Sequence, residues 1–257
     1  MSEAAGVPDL DTVLGKAAAL LFSFTADDTH LTLSELKRRT GLPKSTLHRL
    51  AGDLVALRLL ERDEAGYRLG GKLFELGMRA SVERGLLEVA TPFLEDVYER
   101  THETVHLGVL EGTEVVYVAK IGGHRQASTP SRIGGRMPLY CTALGKALLA
   151  HSPASLLDEV VAQGLERRTP RTITAAGLLR RQLGQVVETG VAYEYEESAP
   201  GLVCVAAAVL DPEDRPVAAV SATGPITRFK PEPHAAQVRA AAAGIAATLA
   251  RRAQLLE

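Results

Sequence analysis

Residues 31–70 read LTLSELKRRTGLPKSTLHRLAGDLVALRLLERDEAGYRLG, and this stretch decides the fold of the N-terminal part of the chain. Thr32 followed by Glu35 fits the capping box at the start of a helix, and Gly41 marks the expected end of that helix. Pro43 suits the first turn of a second helix, because the N–H that proline lacks has no partner there. Apolar positions then recur at near-helical spacing, at Leu47, Leu50, Leu54 and Leu57. Two helices joined by a tight turn predict a helix-turn-helix.

Two short strands are predicted directly after this pair of helices. Residues 59–62 and 67–69 can pair around a turn at 63–66. A small hairpin in this position is typical of the wing of a winged helix. Upstream, residues 11–24 have the apolar spacing of an additional helix. The four pieces together predict a winged helix-turn-helix.

Charge is distributed unevenly along the chain. The formal net charge is only −2, yet residues 36–52 carry five basic side chains and no acidic one. A local basic patch on a helix-turn-helix predicts contact with the phosphates of duplex DNA, whereas a charge run on any other fold is usually a solvated face. The basic residues of the patch are Lys37, Arg38, Arg39, Lys44 and Arg49.

Composition narrows the class of protein. Hydrophobic residues make up 46% of the chain and charged residues 23%, as in a soluble globular protein. No apolar run is long enough for a membrane span and the N-terminus does not have the pattern of a signal peptide, so we expect a cytoplasmic protein without membrane contact. Cys141 and Cys204 are too few for a disulfide framework or a zinc site. No nucleophile elbow or metal-ligand motif is found, so we expect no enzyme activity, no metal and no cofactor.

The rest of the chain alternates helical and strand patterns. Helices are predicted at 72–83, 86–102 (starting near residues 91–92), 143–151, 153–163, 175–189 and 233–255. Strands are predicted at 105–110, 115–121, 202–210 and 217–223, with a Gly/Ser/Arg-rich loop over 122–136 that has room for one short strand. The nearly continuous apolar run at 202–210 indicates a buried central strand. The fold class is therefore α+β.

Four stretches in order identify the chain as resembling the IclR family of bacterial transcriptional regulators. They are the segment 31–70, GGRMPLYCTALGKALLA (134–150), TGVAYEYEESAPGLVCVAAAV (189–209) and AVSATGP (219–225). The resemblance implies a GAF-like C-terminal domain with a curved antiparallel sheet flanked by helices, which binds a small metabolite. It also implies homodimers formed through the DNA-binding part, and often homotetramers. The expected plan is a flexible N-terminus (1–9), a winged helix-turn-helix (10–70), a linker helix (71–88) and an effector-binding and oligomerisation domain (89–257).

The residues expected to contact DNA lie on three parts of the winged helix. At the start of the second helix of the pair, Arg49 can make a bidentate contact with guanine, worth about 1–3 kcal/mol of discrimination. Phosphates are expected opposite the end of the preceding helix and the wing. The alternative for each residue is an exposed solubilising side chain. The candidates are Arg38, Arg39, Lys44, Ser45, Thr46, His48, Arg49, Arg62 and Arg68.

The effector site is predicted from a strand pattern and from the resemblance. Ser221 and Thr223 are two apart on a strand and therefore point to the same face, and Cys204 interrupts an apolar run. Free N–H groups at the start of the helix at 143–145 are suited to a carboxylate. The alternative is that the apolar members are simply core. The positions that the resemblance carries over are Met137, Ala143, Leu144, Glu194, Leu202, Cys204, Ser221 and Thr223.

Glu194 departs from the family pattern, in which aspartate is frequent at this position. An acidic group in an anion site has to be neutralised or aimed at a ligand hydroxyl, and nearby Tyr140, Tyr193 and Tyr195 could alter the size of the pocket. The effector is then an organic or aromatic acid, a hydroxylated acid, or not an anion at all. We expect a ligand-responsive regulator with two partners, double-stranded operator DNA and a small-molecule effector. The alternative is a DNA-binding regulator whose C-terminal domain only oligomerises.

Overall fold

The computed structural model describes residues 9–25, 27–77, 79, 81–122 and 129–255. The chain divides into two compact units, Met1–Arg84 and Gly85–Glu257. Within the described residues, no helix combines the length and the apolar character that crossing a membrane requires.

The N-terminal unit is a winged helix-turn-helix, as predicted. Its elements are α1 (Val13–Phe22), α2 (Leu33–Thr40), α3 (Lys44–Ala56) and the antiparallel hairpin of β1 (Leu60–Asp63) and β2 (Gly66–Leu69).

Local sequence explains where α2 and α3 begin and end. Thr32 and Glu35 form both hydrogen bonds of the capping box at the start of α2, and Gly41 ends that helix with a left-handed φ of 72°. Helix α3 begins at Lys44, one residue later than predicted, so Pro43 lies just before the helix. Its ψ of 143° is extended, so it is the N-cap of α3 rather than a member of the first turn.

The core of this unit consists mainly of leucines from all three helices and the hairpin. Leu36, Leu47 and Leu50 are buried in one cluster with Leu20 and Tyr67. The segment before α2 joins the hairpin through a β-bridge between Leu31 and Tyr67. Gly66 is required at that point, because its φ is 137° and a Cβ there would lie 2.6 Å from the carbonyl oxygen of Leu31.

The helices predicted at 72–83 and 86–102 have other bounds in the structure, where α4 is Gly71–Gly77 and α5 is Ser81–Thr101. The linker helix expected at 71–88 corresponds to α4 and the start of α5. Pro92 lies inside α5 and does not begin it. The helix continues across the proline because one apolar face, which includes Leu86, Val89 and Leu94, is buried on both sides of it. Thr91 also donates its hydroxyl to the carbonyl of Leu87 at 2.7 Å, which holds the turn before the proline together.

The C-terminal unit contains an antiparallel six-stranded sheet in the order β5-β4-β3-β8-β7-β6. The strands are β3 (Thr104–Glu111), β4 (Glu114–Ile121), β5 (Arg136–Pro138), β6 (Ala192–Tyr195), β7 (Leu202–Leu210) and β8 (Pro216–Pro225). The central strands β3, β8 and β7 are the long apolar runs that periodicity detects. Edge strands β5 and β6, of three and four residues, are too short to give an independent periodic pattern.

Helices cover both faces of this sheet, which confirms the predicted α+β architecture. Residues of α5 and of α9 (Ala235–Gln254), which follows a 3₁₀ turn at Glu232–His234, pack on the face that carries Val105 and Val205. Residues of α6 (Ala143–Ala150) and α8 (Ala176–Thr189) pack on the other face, and α7 (Ala154–Gln163) connects them. The second face, called the α6 face below, carries all the sheet residues predicted for the effector site.

Candidate functional site

The start of α3 presents an exposed polar surface. Lys44, Ser45, His48 and Arg49 are exposed, and Thr46 is half-buried. They alternate with Leu47 and Leu50, which are buried in the core and fix the orientation of the helix. Arg49 lies 3.5 Å from Asp53, one helical turn further on, and both side chains are about 60% exposed. An exposed i,i+4 pair of this kind is weak, so Arg49 can exchange it for a contact with another molecule.

The other basic candidates differ in the contacts that their side chains make within the protein. Arg39 makes two hydrogen bonds to the carboxylate of Asp28, at 2.5 and 2.9 Å, and a third to the carbonyl of Ser23. These bonds hold the pKa of Asp28 well below its usual range. Arg39 therefore ties α2 to the preceding segment, which argues against the phosphate contact predicted for it. Arg38 is exposed on the same helix.

The two arginines of the wing also have partners in the hairpin. Arg68 forms an ion pair with Glu61 on the paired strand, and the guanidinium of Arg62 lies 5.5 Å from the ring centre of Tyr67. Both arginines are exposed, so a phosphate would compete with these contacts at the surface. The pairing lowers the pKa of Glu61, chiefly through the hydrogen bond from Arg68.

On the α6 face, strand register aligns four polar side chains from four strands. Thr104 lies opposite Thr223, Thr223 opposite Cys204, and Cys204 opposite Glu194. All four are buried. We call Thr104, Thr223, Cys204 and Glu194 the polar row. Sequence analysis predicted three of its members; it missed Thr104, which begins a strand and has no sequence motif of its own.

Hydrogen bonds connect members of the polar row to each other and to Ser198. Thr223 donates its hydroxyl to Sγ of Cys204 at 3.2 Å, and Cys204 lies beside Glu194 of the next strand. Glu194 also accepts two hydrogen bonds from Ser198, one from the backbone N–H at 2.9 Å and one from the hydroxyl. At the other end, Oγ1 of Thr104 is buried and has no hydrogen-bond partner among the described residues.

Burial raises the pKa values of the acidic members of the polar row. Desolvation raises the pKa of Glu194, which its hydrogen bonds to Ser198 only partly offset. Desolvation and the nearby carboxyl of Glu194 together raise the pKa of Cys204. Raised pKa values of this kind favour the protonated carboxyl and thiol. The shift reduces the repulsion between Glu194 and an acidic ligand.

His106 occupies the neighbouring row and was not predicted from sequence. Its Nδ1 lies 3.5 Å from the hydroxyl of Ser221, and its Nε2 lies 2.7 Å from the hydroxyl of Ser131. Ser131 donates to Thr129, which also accepts from Lys120. Desolvation, together with the charge of Lys120, lowers the pKa of His106 to about 3. The neutral His106 thus links Ser221 of β8 to Ser131, which lies in the segment between β4 and β5.

The remaining predicted residues lie around this face or at its rim. Met137 on β5 is buried opposite Val115, and Leu202 is buried at the start of β7. Ala143 and Leu144 begin α6, and a Cβ added to Gly108 would lie 3.3 Å from Leu144. The backbone N–H of Gly145 donates to Thr142, which removes one of the three N–H groups expected to be free.

The tyrosines of β6 face away from the polar row. Tyr193 and Tyr195 alternate with Glu194, and their rings stack 6.1 Å apart on the opposite side of the strand. Tyr140 is buried and donates its hydroxyl to the carbonyl of Glu166 at 2.9 Å. The prediction that the two β6 tyrosines shape the pocket beside Glu194 is therefore wrong.

A buried ion pair lies beneath the same face. Nζ of Lys146 on α6 is 2.6 Å from Glu197 and 3.0 Å from the side-chain oxygen of Gln182 on α8. The lysine and glutamate side chains are 1% and 5% exposed. The charged residue within the apolar stretch ALGKALLA was the only sequence signal for this pair. Within the described ranges no cluster of His, Cys, Asp and Glu side chains has the arrangement of a metal site.

Two family models match the chain. The IclR helix-turn-helix domain matches residues 13–64, and the bacterial transcriptional regulator IclR C-terminal domain matches residues 78–247. Among curated proteins, the HTH-type transcriptional regulator XynR of Escherichia coli (strain K12) is 35% identical over 210 residues, which cover 80% of this chain and 83% of XynR. Such relatives are named as transcriptional regulators, in agreement with the prediction that the protein is not an enzyme.

Solved structures give the same assignment. An IclR homologue from Microbacterium hydrocarbonoxydans, in complex with 4-hydroxybenzoate, matches with a TM-score of 0.88 at 33% identity and covers 94% of this chain and 100% of its own. Thermotoga maritima IclR matches with a TM-score of 0.74 at 31% identity, over 92% and 98% of the two chains. With its helix-turn-helix and its C-terminal effector domain, the chain belongs to the IclR family of bacterial transcriptional regulators.

Proposed function

We propose that the protein binds operator DNA through the exposed start of α3 and changes that binding when a small organic acid, of the aromatic type, occupies the α6 face. The observation that carries the effector part is the polar row. Four buried polar side chains line up on a face whose apolar part consists largely of Ala and Leu side chains. A few converging polar groups within apolar walls are what a small-molecule site requires. The homologue in complex with 4-hydroxybenzoate supports an aromatic acid.

The alternative is a C-terminal domain that only oligomerises. A purely structural core would favour apolar side chains at these positions, since a buried hydroxyl without a partner costs about 1–3 kcal/mol. Thr104 is such a hydroxyl among the described residues, and Ser221 has only the long contact with His106. Both observations favour a ligand site over a sealed core.

A thermal-shift screen with benzoate and the three hydroxybenzoates tests the effector proposal. A ligand at a hundred times its Kd stabilises the folded protein by about 2.7 kcal/mol. Ser221→Ala should reduce that shift, whereas Ser152→Ala should not, because Ser152 bonds to the carbonyl of Leu148 at the end of α6. If none of the four compounds raises the melting temperature, the aromatic-acid proposal is wrong.

For DNA recognition we propose Lys44, Ser45 and Arg49 as the principal contacts. Their exposure at the start of α3, the helix that enters the major groove in this motif, supports the proposal. Arg49→Ala should preserve folding and reduce discrimination between operator and random DNA by about 5-fold to 150-fold, from a loss of about 1–3 kcal/mol. The matched control is Arg181→Ala, an exposed arginine of the other unit. Equal discrimination in both variants would contradict the assignment.

We also propose that the protein forms a homodimer through α1, from which a homotetramer is built. Leu10 lies just before the N-cap of this helix, and Leu14 and Phe22 are eight residues apart on one face of it. They are 41%, 80% and 74% exposed. Leu14→Glu combined with Phe22→Glu should halve the oligomer mass measured by light scattering. Leu178→Glu, at an exposed leucine of α8, is the control. An unchanged mass in the double variant would exclude α1 as the interface.

A further inference from the structure

We infer that Thr104 and Thr223 together bind a neutral hydroxyl group of the effector, so that the protein responds to a hydroxylated acid and discriminates against the same acid without its hydroxyl. This inference rests on the effector site proposed above and specifies the chemical class that the site accepts.

The hydroxyl groups of Thr223 and Thr104 differ in the hydrogen bonds that each can still make. Thr223 uses its hydrogen in the bond to Sγ of Cys204, so its oxygen can only accept a further hydrogen bond. Thr104 has no partner within the described part of the chain, so its hydroxyl can donate. Since neighbouring residues of an antiparallel pair have Cβ atoms about 4.5–5.5 Å apart, one ligand atom between them can reach both oxygens.

Only some ligand groups can form hydrogen bonds with both threonines. A hydroxyl accepts from Thr104 and donates to Thr223. A carboxylate accepts only, so it would leave the oxygen of Thr223 facing another acceptor. It would also lie near Glu194, which already accepts hydrogen bonds from Ser198. An ammonium group donates only and would leave the hydrogen of Thr104 unpaired.

No positive charge from the polar row or from its neighbouring row faces this end of the site. Glu194 and Cys204 are acids whose pKa values are raised by burial, and His106 in the next row is neutral because its pKa is about 3. The buried cation Lys146 is already paired with Glu197. The polar row therefore offers hydrogen bonds without a counter-charge for an anion, and the acidic end of the effector lies elsewhere.

The experiment compares benzoate, 4-fluorobenzoate and the three hydroxybenzoates by calorimetry on the full-length protein and on Thr104→Val. The best hydroxybenzoate should bind wild-type protein about threefold to tenfold more tightly than benzoate, the effect of one or two neutral hydrogen bonds. Thr104→Val should bring this ratio close to one. Fluorine resembles hydroxyl in size but cannot donate, so 4-fluorobenzoate should bind like benzoate in both proteins. Thr248→Val, where the hydroxyl bonds to the carbonyl of Gly244 on α9, should keep the wild-type ratio.

The outcomes separate this inference from the proposal beneath it. If no benzoate binds, the aromatic-acid proposal fails and the inference fails with it. If benzoates bind but the hydroxyl gives no advantage, or the advantage survives in Thr104→Val, only the inference is overturned. A readout without ligand is also available. The urea midpoint of Thr104→Val should be unchanged or higher, because valine replaces an unpartnered buried hydroxyl with a side chain of similar shape. A marked fall in that midpoint would show that the hydroxyl is bonded within the protein and would overturn the inference.

Discussion

Replacing His106 with glutamine should remove part of the acid sensitivity of the C-terminal domain. The imidazole is buried among Tyr117, Ser131 and Ser221. Lys120 donates a hydrogen bond to the backbone carbonyl of Ser131. Burial and the charge of Lys120 lower the pKa of His106 from 6.5 to about 3. Glutamine can still donate to Ser131 but takes up no proton.

The magnitude follows from the two pKa values. Above pH 6.5, folded and unfolded chains both carry a neutral His106, and the residue adds no pH dependence. As the pH falls below 6.5, the unfolded chain binds a proton that the folded chain excludes, so the free energy of unfolding decreases. At pH 5 the loss is about 2 kcal/mol, at pH 3 it is about 4 kcal/mol, and below pH 3 it approaches about 5 kcal/mol.

Urea unfolding followed by circular dichroism, at one protein concentration and at pH 7.5 and 5.0, measures this difference. Between these two pH values the wild type should lose about 2 kcal/mol more than His106→Gln. His102→Asn is the control, since asparagine tolerates the left-handed φ of 51° at this position. Equal losses in wild type and His106→Gln would refute the argument that burial keeps this histidine neutral.

Three further substitutions test other parts of the structure. Gly52 is exposed on α3, and the space that a Cβ would occupy is open. Gly52→Ala should therefore raise the free energy of unfolding, measured by denaturation, by about 0.5–1 kcal/mol. The same substitution should weaken operator binding if DNA approaches α3 at this position. Lys146→Met should destabilise the protein by about 3–5 kcal/mol at pH 7.5. Its effect should shrink at pH 5.5, because burial raises the pKa of Glu197 and the carboxyl then takes up a proton; a constant effect would count against a buried charge. Thr32→Ala should cost about 1 kcal/mol by removing the capping box, and a null effect on the melting temperature would contradict that role.

The winged helix could be predicted from sequence because its signals are local. The capping box at Thr32, the left-handed glycine at Gly41 and the leucine spacing of α3 each depend on residues within a few positions of one another. The same local reasoning was wrong at Pro92. There the apolar face shared with the sheet outweighs the proline, and packing between distant segments is not visible in a short window.

The candidate effector site could be predicted only in part. Ser221, Thr223 and Cys204 lie on long strands whose alternation shows which side chains share a face. Thr104 and His106 lie on the same face because β3 pairs with β8. The paired residues are more than a hundred positions apart in the chain, so a short window of sequence does not show the pairing. Likewise, nothing in sequence indicated that Arg39 bonds to Asp28, because that contact depends on how α2 folds back on the segment before it.

Operator affinity measured with and without effector shows whether ligand binding in the C-terminal domain is coupled to DNA binding by the winged helix. A fluorescent duplex selected by the protein from a random library would be titrated with protein, with and without the hydroxybenzoate that gives the largest thermal shift. We expect the effector to change the apparent Kd for DNA by about 5-fold to 150-fold, the usual range of coupling between two sites. The change should be much smaller in Ser221→Ala. If the hydroxybenzoate binds but the DNA affinity stays the same, the C-terminal domain does not regulate DNA binding through this site.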